Sequence, residues 1–174
     1  MRRRAGGFEG LMRIVAEQQV SVPSAQAVWA RARAAVDVAD PGAVARFGAD
    51  GLRSVGFTRQ KSGYVADLAA LVADGGFDFG RLPALDDETA RAALQAIRGV
   101  GPWTAAIYLL FCEGRPDVWP PKDVALKGAY NAAAERADDQ AAIDAGAEAW
   151  RPFRGVAAHV LWTYYAVLKG REPI

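Results

Sequence analysis

Residues 94–127 of this 174-residue chain, LQAIRGVGPWTAAIYLLFCEGRPDVWPPKDVALK, restrict the fold more than any other stretch. Gly99 and Gly101 are expected to end a helix near Ile97, because they supply the positive φ and the close backbone approach that side chains resist. Pro102 suits the first position of the next helix, where its missing N–H is not needed. The run that follows, 103–112, is apolar on every face and predicts a buried central helix. Asp123 comes after Pro120-Pro121 and is placed to cap a further helix. The amides of Gly101, Trp103 and Thr104 then stand at a helix N-terminus, which attracts an anion such as a phosphate.

The flanks read as helices with short links. Phe8, Leu11, Met12 and Val15 recur at helical spacing, so 8–20 is an amphipathic helix ending at Gln18-Gln19. Ser21 or Ser24 caps the next, and Asp40-Pro41 opens a short one that Gly48 ends before another at 49–55. Gly56 breaks the pattern, and Thr58 caps a helix running to about Ala73, an echo of the pattern around Gly99. FDFGRLPAL reads as a loop, and DDETARAALQAI as a helix with acidic residues at its start, as the dipole prefers. Helices are expected from Asp123 to about Glu135, from about Asp139 to Trp150, and from Pro152 to near Lys169. On a helical wheel the last presents Phe153, Val156, Val160, Leu161, Tyr164 and Leu168 as a core stripe, with Gly155, Ala158, Trp162 and Ala166 opposite. No segment reads as a strand, so the chain is expected to be all-α, about ten helices, with two helical lobes facing a cleft.

Composition removes whole classes of function. The single cysteine, Cys112, excludes an internal disulfide, a zinc knuckle and a four-cysteine iron–sulfur cluster. No apolar run approaches the ~20 residues that span a bilayer, and the MRRR start leads into GGFEG instead of a signal region. A cytoplasmic protein without membrane contact is expected. Net charge is only +1, so a nucleic-acid partner has to be argued from distribution: Arg2, Arg3, Arg4 and Arg13 at one end, Arg53, Arg59 and Lys61 at the first glycine turn, Lys122 and Lys127 around Asp123, and Arg151 and Arg154 before the last helix.

The longer pattern L-x-x-I-x-G-V-G-x-W-T-A, followed by W-P-x-x-D-x-x-L-K, resembles the helix-hairpin-helix (HhH-GPD) DNA glycosylases, and within them the 3-methyladenine DNA glycosylase II (AlkA-like) branch. FEGLMRIVAEQQVS, LRSVGFTRQKSGYVADLA and WRPFRGVAAHVLW are similar to that family's other helices, in the same order. The resemblance implies one HhH-GPD domain over 1–174, its hairpin at about 86–112, without the N-terminal β-domain of some members. It implies a hydrolase of base excision repair that flips an alkylated base out of double-stranded DNA, in the class of 3-methyladenine and 7-methylguanine, and leaves an abasic site.

The same resemblance assigns roles. Asp123 stands where the family has its catalytic aspartate, and one carboxylate suits the chemistry, because a departing base leaves positive charge on the sugar. Related enzymes that also cut the strand carry a lysine nucleophile at the position of Trp103, so a monofunctional enzyme is implied. Trp103 and Trp162 are expected as pocket walls, with Ile107 where an aromatic often stands, Tyr108 as its substitute, and Gln18 and Gln19 near the gap left by the flipped base. Gly99, Val100, Gly101, Trp103, Thr104, Lys61, Lys127 and Arg154 are the expected DNA contacts. No metal or cofactor is called for beyond a monovalent cation at the hairpin carbonyls. A monomer is expected, associated with the nucleoid in a prokaryote. Two rivals remain at this point: a non-catalytic DNA-binding module on the same hairpin, and a bifunctional glycosylase/lyase.

Overall fold

The computed structural model describes residues 4–171, so Arg2 and Arg3 lie outside the described residues. The chain forms two compact helical units, residues 4–101 and residues 102–171. Among the described residues every regular element is helical, so the chain is all-α, and no helix is long and apolar enough to cross a membrane.

The first unit holds α1 (Gly7–Glu17), α2 (Val22–Ala35), α3 (Pro41–Ser54), α4 (Arg59–Ala73), a 3-10 turn (Phe79–Ala84) and α5 (Asp87–Gln95). Its helix starts are written locally. Ser21 accepts from Ser24 N, Asp40 from Gly42 N, Thr58 from Lys61 N and Asp86 from the amides of Glu88 and Thr89, each satisfying a first-turn amide that has no intrahelical partner. Gly48, at φ 69°, splits α3 into two pieces. The stretch FDFGRLPAL contains the 3-10 turn, which Asp78 caps through Gly80 N, where a plain loop is expected from sequence. Helix α1 packs on α2 and α4, burying Leu11, Met12, Ile14, Val15, Trp29, Val65 and Leu68.

The second unit holds α6 (Pro102–Tyr108), continued by a π turn (Leu109–Glu113), then α7 (Val124–Ala134), α8 (Gln140–Gly146), a 3-10 turn (Ala147–Trp150) and α9 (Arg154–Leu168). Residues 104–111 are all buried, as their all-round apolar pattern requires. Helices α7 and α9 pack together at Gly128, where a Cβ would stand 2.8 Å from Cε2 of Tyr165.

Helix α9 departs from the sequence expectation twice. It opens at Arg154 and not at Pro152, because its first free amides are satisfied by a distant loop: Arg154 N donates to Asp117 Oδ1 at 3.1 Å and Gly155 N to Pro116 O at 2.8 Å. Its buried face is Arg154, Gly155, Ala158, Trp162 and Ala166. The stripe expected to form the core is outside, with Phe153 60% and Val160 64% exposed and only Leu161 half-buried. Size explains the reversal. Between Arg154 and Lys169 the helix has no Asp, Glu, Lys or Arg, so hydropathy distinguishes no face. The face of small residues can approach its neighbours closely: a Cβ at Gly155 would overlap Leu110 and stand 2.8 Å from Pro116 O.

Candidate functional site

Three helices of the second unit deliver one residue each to a common point. Asp123 is the N-cap of α7 and is 8% exposed, with Oδ1 accepting from Leu126 N at 2.9 Å. Trp103, in the first turn of α6, donates its indole Nε1–H to Asp123 Oδ2 at 2.8 Å. Trp162, on the small-residue face of α9, donates Nε1–H to Oδ1 at 3.2 Å. The carboxylate thus meets three neutral donors, and among the described residues no cation pairs with it. A carboxylate has about four acceptor positions. Oδ1 accepts two of the three donors and Oδ2 one.

The supports of this arrangement reach further. Asp144 of α8 accepts from Trp119 Nε1 (3.0 Å), Lys122 N (3.1 Å) and Gln140 Nε2 (2.9 Å), holding both ends of the Trp119–Lys122 stretch that leads into Asp123. Asp117 anchors the start of α9, accepting from Arg154 Nε at 2.9 Å and from Arg151 Nη1 at 3.0 Å. Burial of Asp117 opposes its ionisation. The hydrogen bonds from the Arg154 side chain and backbone, with the attraction of Arg154 and Arg151, outweigh that and hold its carboxyl below the ordinary value. Behind Trp162, Phe111 stacks at 5.6 Å and His159 lies edge-on at 5.6 Å.

Several residues expected at the site are placed otherwise. Trp162 is 6% exposed, its ring packed on Phe111, so it meets the site through its N–H and not as an open wall. Ile107 and Tyr108 are buried within the core around α6, and Tyr108 presents no surface with which to replace an aromatic wall. Arg154 is buried and bound to Asp117 and Glu148, which leaves it no phosphate to meet. The ammonium of Lys61 donates to Ala16 O and Gln18 O, closing the C-terminal end of α1, and burial lowers its pKa. The corrections for Arg154 and Lys61 have one cause: carboxylates or helix-end carbonyls close in space hold a long basic side chain that sequence alone leaves in solvent.

The glycine turn lies at the end of the first unit. Gly99 has φ 86°, while Gly101 does not take the positive φ expected of it, and a Cβ there would meet nothing within 4 Å. Val100 is buried and donates N–H to Ile97 O at 3.0 Å; Thr104, across the unit boundary, is also buried. Gln18 donates Nε2–H to Gly99 O at 3.4 Å, and exposed Gln19 takes φ 53°. The carbonyls of Ile97 and Gly99 each accept one protein N–H group. Lys127 is half-buried on α7. Asp123, Trp103 and Trp162 stand out in the sequence, but the indole hydrogen bonds that join them do not, and Asp144 carries no sequence signal at all.

Comparison with known proteins gives a consistent answer. The model of the HhH-GPD superfamily base excision DNA repair protein family matches residues 12–154. The protein YfjP of Bacillus subtilis (strain 168) is 33% identical over 125 residues, which is 70% of this chain and 43% of that protein. The chain therefore spans less than half the length of that relative. DNA-3-methyladenine glycosylase 1 of Schizosaccharomyces pombe is 26% identical over 178 residues, 96% of this chain and 76% of that protein. The crystal structure of DNA-3-methyladenine glycosidase from Bacillus halodurans matches with a TM-score of 0.84 and 27% identity, covering 99% of this chain and 82% of that one.

Proposed function

Because the chain belongs to the HhH-GPD superfamily of base excision DNA repair proteins, we propose that it is a monofunctional DNA glycosylase that hydrolyses the bond between deoxyribose and an alkylated base in double-stranded DNA. The observation that carries this reading is the carboxylate of Asp123, buried, held by three neutral donors and unpaired with any cation among the described residues. A cation beside it would neutralise the field that such a reaction needs. Neutral donors fix the group and leave its charge to act on the sugar as positive charge develops at C1′. Oδ2, which accepts one N–H, has a second lone pair able to receive an O–H of the attacking water.

The target base has to leave the stack to reach a group so deeply set. Among the described residues, the three groups that donate to Asp123 are two indoles and a backbone amide, none of them an acid that could protonate a departing neutral base. A cationic purine such as 3-methyladenine or 7-methylguanine needs no such proton. This agrees with the names of the relatives in Schizosaccharomyces pombe and Bacillus halodurans. Trp103 stands where a lyase would have its amine, and its indole nitrogen has no lone pair to form a Schiff base. Exposed backbone at Gly101 gives a phosphate room to approach.

The test incubates the protein with duplexes carrying 3-methyladenine, 7-methylguanine, hypoxanthine or ethenoadenine and then cleaves abasic sites with alkali. Strand scission that requires alkali, faster for the two cationic bases, is expected. Equal rates for hypoxanthine and 7-methylguanine would overturn the lesion class, and no excision of any base would overturn the enzyme assignment.

A further inference from the structure

We infer that Asp144 is a positioning residue for Asp123, acting through the backbone of Lys122; the inference rests on the glycosylase reading. Lys122 immediately precedes Asp123 and takes φ 59°, a left-handed conformation that is uncommon for a side-chain-bearing residue. It follows Trp119-Pro120-Pro121, and the two prolines fix their own φ angles and restrict the residues before them. Lys122 is therefore where the segment turns, and its torsion angles set the direction in which Asp123 enters α7.

What holds that turn comes from α8. The carboxylate of Asp144 accepts Lys122 N–H at 3.1 Å with Oδ2, while Oδ1 accepts from Trp119 Nε1 at 3.0 Å and from Gln140 Nε2 at 2.9 Å. One side chain thus ties the first and last residues of the four-residue approach to Asp123. Local strain of this kind persists where surrounding contacts over-determine it. Asp123 in turn must bring Oδ2 to Trp103 and Oδ1 to Trp162. A shift of the N-cap would turn the carboxylate away from both indoles together. Asp144 touches none of these atoms, so its influence on the reaction passes through position 122.

The test is a rescue. In the full chain, Asp144→Asn puts an N–H group where one of three donors expects an acceptor. It is expected to lower the single-turnover excision rate by roughly ten- to a hundredfold while leaving affinity for an abasic-site duplex unchanged. Lys122→Gly takes the left-handed conformation freely, so the double variant Lys122→Gly/Asp144→Asn is expected to recover the rate. Should Asp144→Asn not fold, Lys122→Val keeps Asp144 but adds a β-branch that resists positive φ, and it should reproduce the rate loss. A second readout is independent of activity: the indole N–H resonances of Trp103 and Trp162, two of five tryptophans, should move in Asp144→Asn and return in the double variant. Shifts that move and return in a protein that excises nothing would support the positioning and sink the glycosylase reading. An unchanged rate in Asp144→Asn, or no recovery with glycine at position 122, would overturn the inference.

Discussion

Trp103→Phe should change sign as a stability mutation according to what stands at residue 123. In the native protein the indole is the donor seen on Oδ2 of a carboxylate that is 8% exposed, at 2.8 Å. A hydrogen bond to a charged group contributes about 1.5–3 kcal/mol, and half-buried Trp103 belongs at the lower end because water can partly replace it. At 2–4 °C per kcal/mol for a chain of this size, Tm should fall by roughly 3–6 °C. In an Asp123→Asn background the balance reverses. With the amide oxygen facing Leu126 N and Trp162 Nε1, the amide nitrogen faces the Trp103 N–H, two donors with no acceptor between them. That conflict destabilises by about 1–3 kcal/mol, and Trp103→Phe removes it, so Tm should rise. Excision should not follow stability: Asp123→Asn lowers it by on the order of 10²–10³-fold, and the added Trp103→Phe restores none of it. Thermal melts of the four proteins, with excision assayed on a 7-methylguanine duplex, form the cycle. A fall in Tm of similar size in both backgrounds would refute the indole–carboxylate bond, and full excision by Asp123→Asn would refute the role of the charge.

The two glycines of the turn should separate folding from binding. Gly99→Ala forces a side chain into φ 86° and onto the ring of Tyr64, so its Tm should drop. Gly101→Ala meets open space, so it should melt like the native chain and lose affinity for all duplexes alike; a loss confined to one sequence would point to base readout instead. Asp117 links stability to acid: its folded carboxyl lies below the ordinary 3.8, so its contribution is complete above that pH and is lost as pH falls through the depressed value. The Tm gap between native protein and Asp117→Asn should therefore be full at pH 7 and close below 3.8; a gap that widens with acid would contradict the Arg154 pairing. Borohydride present during turnover should trap no protein–DNA adduct, and an adduct lost on mutating Lys122 or Lys127 would reveal a lyase.

Local chemistry was legible in the sequence, and packing was not. The caps Thr58 and Asp123, the break at Gly48 and the left-handed Gly99 depend on a few neighbouring residues and on backbone sterics, so residue type was enough to place them, while it left Ser21 and Ser24 as equal candidates for the cap of α2, which is Ser21. The family pattern likewise located Asp123 and both tryptophans. Only the tertiary structure decided which face of α9 turns inward, because hydropathy there is uniform and close contact with Pro116 and Leu110 selects the side lacking bulk. The fates of Lys61 and Arg154 were settled the same way, by carbonyls and carboxylates that lie far away in sequence. So was the joining of Trp103, Asp123 and Trp162, 20 and 39 residues apart, into one hydrogen-bonded group. A hydrogen bond between distant side chains needs both ends held to within a few tenths of an ångström, and for Asp123 and Trp162 that precision comes from the packing of α7 on α9.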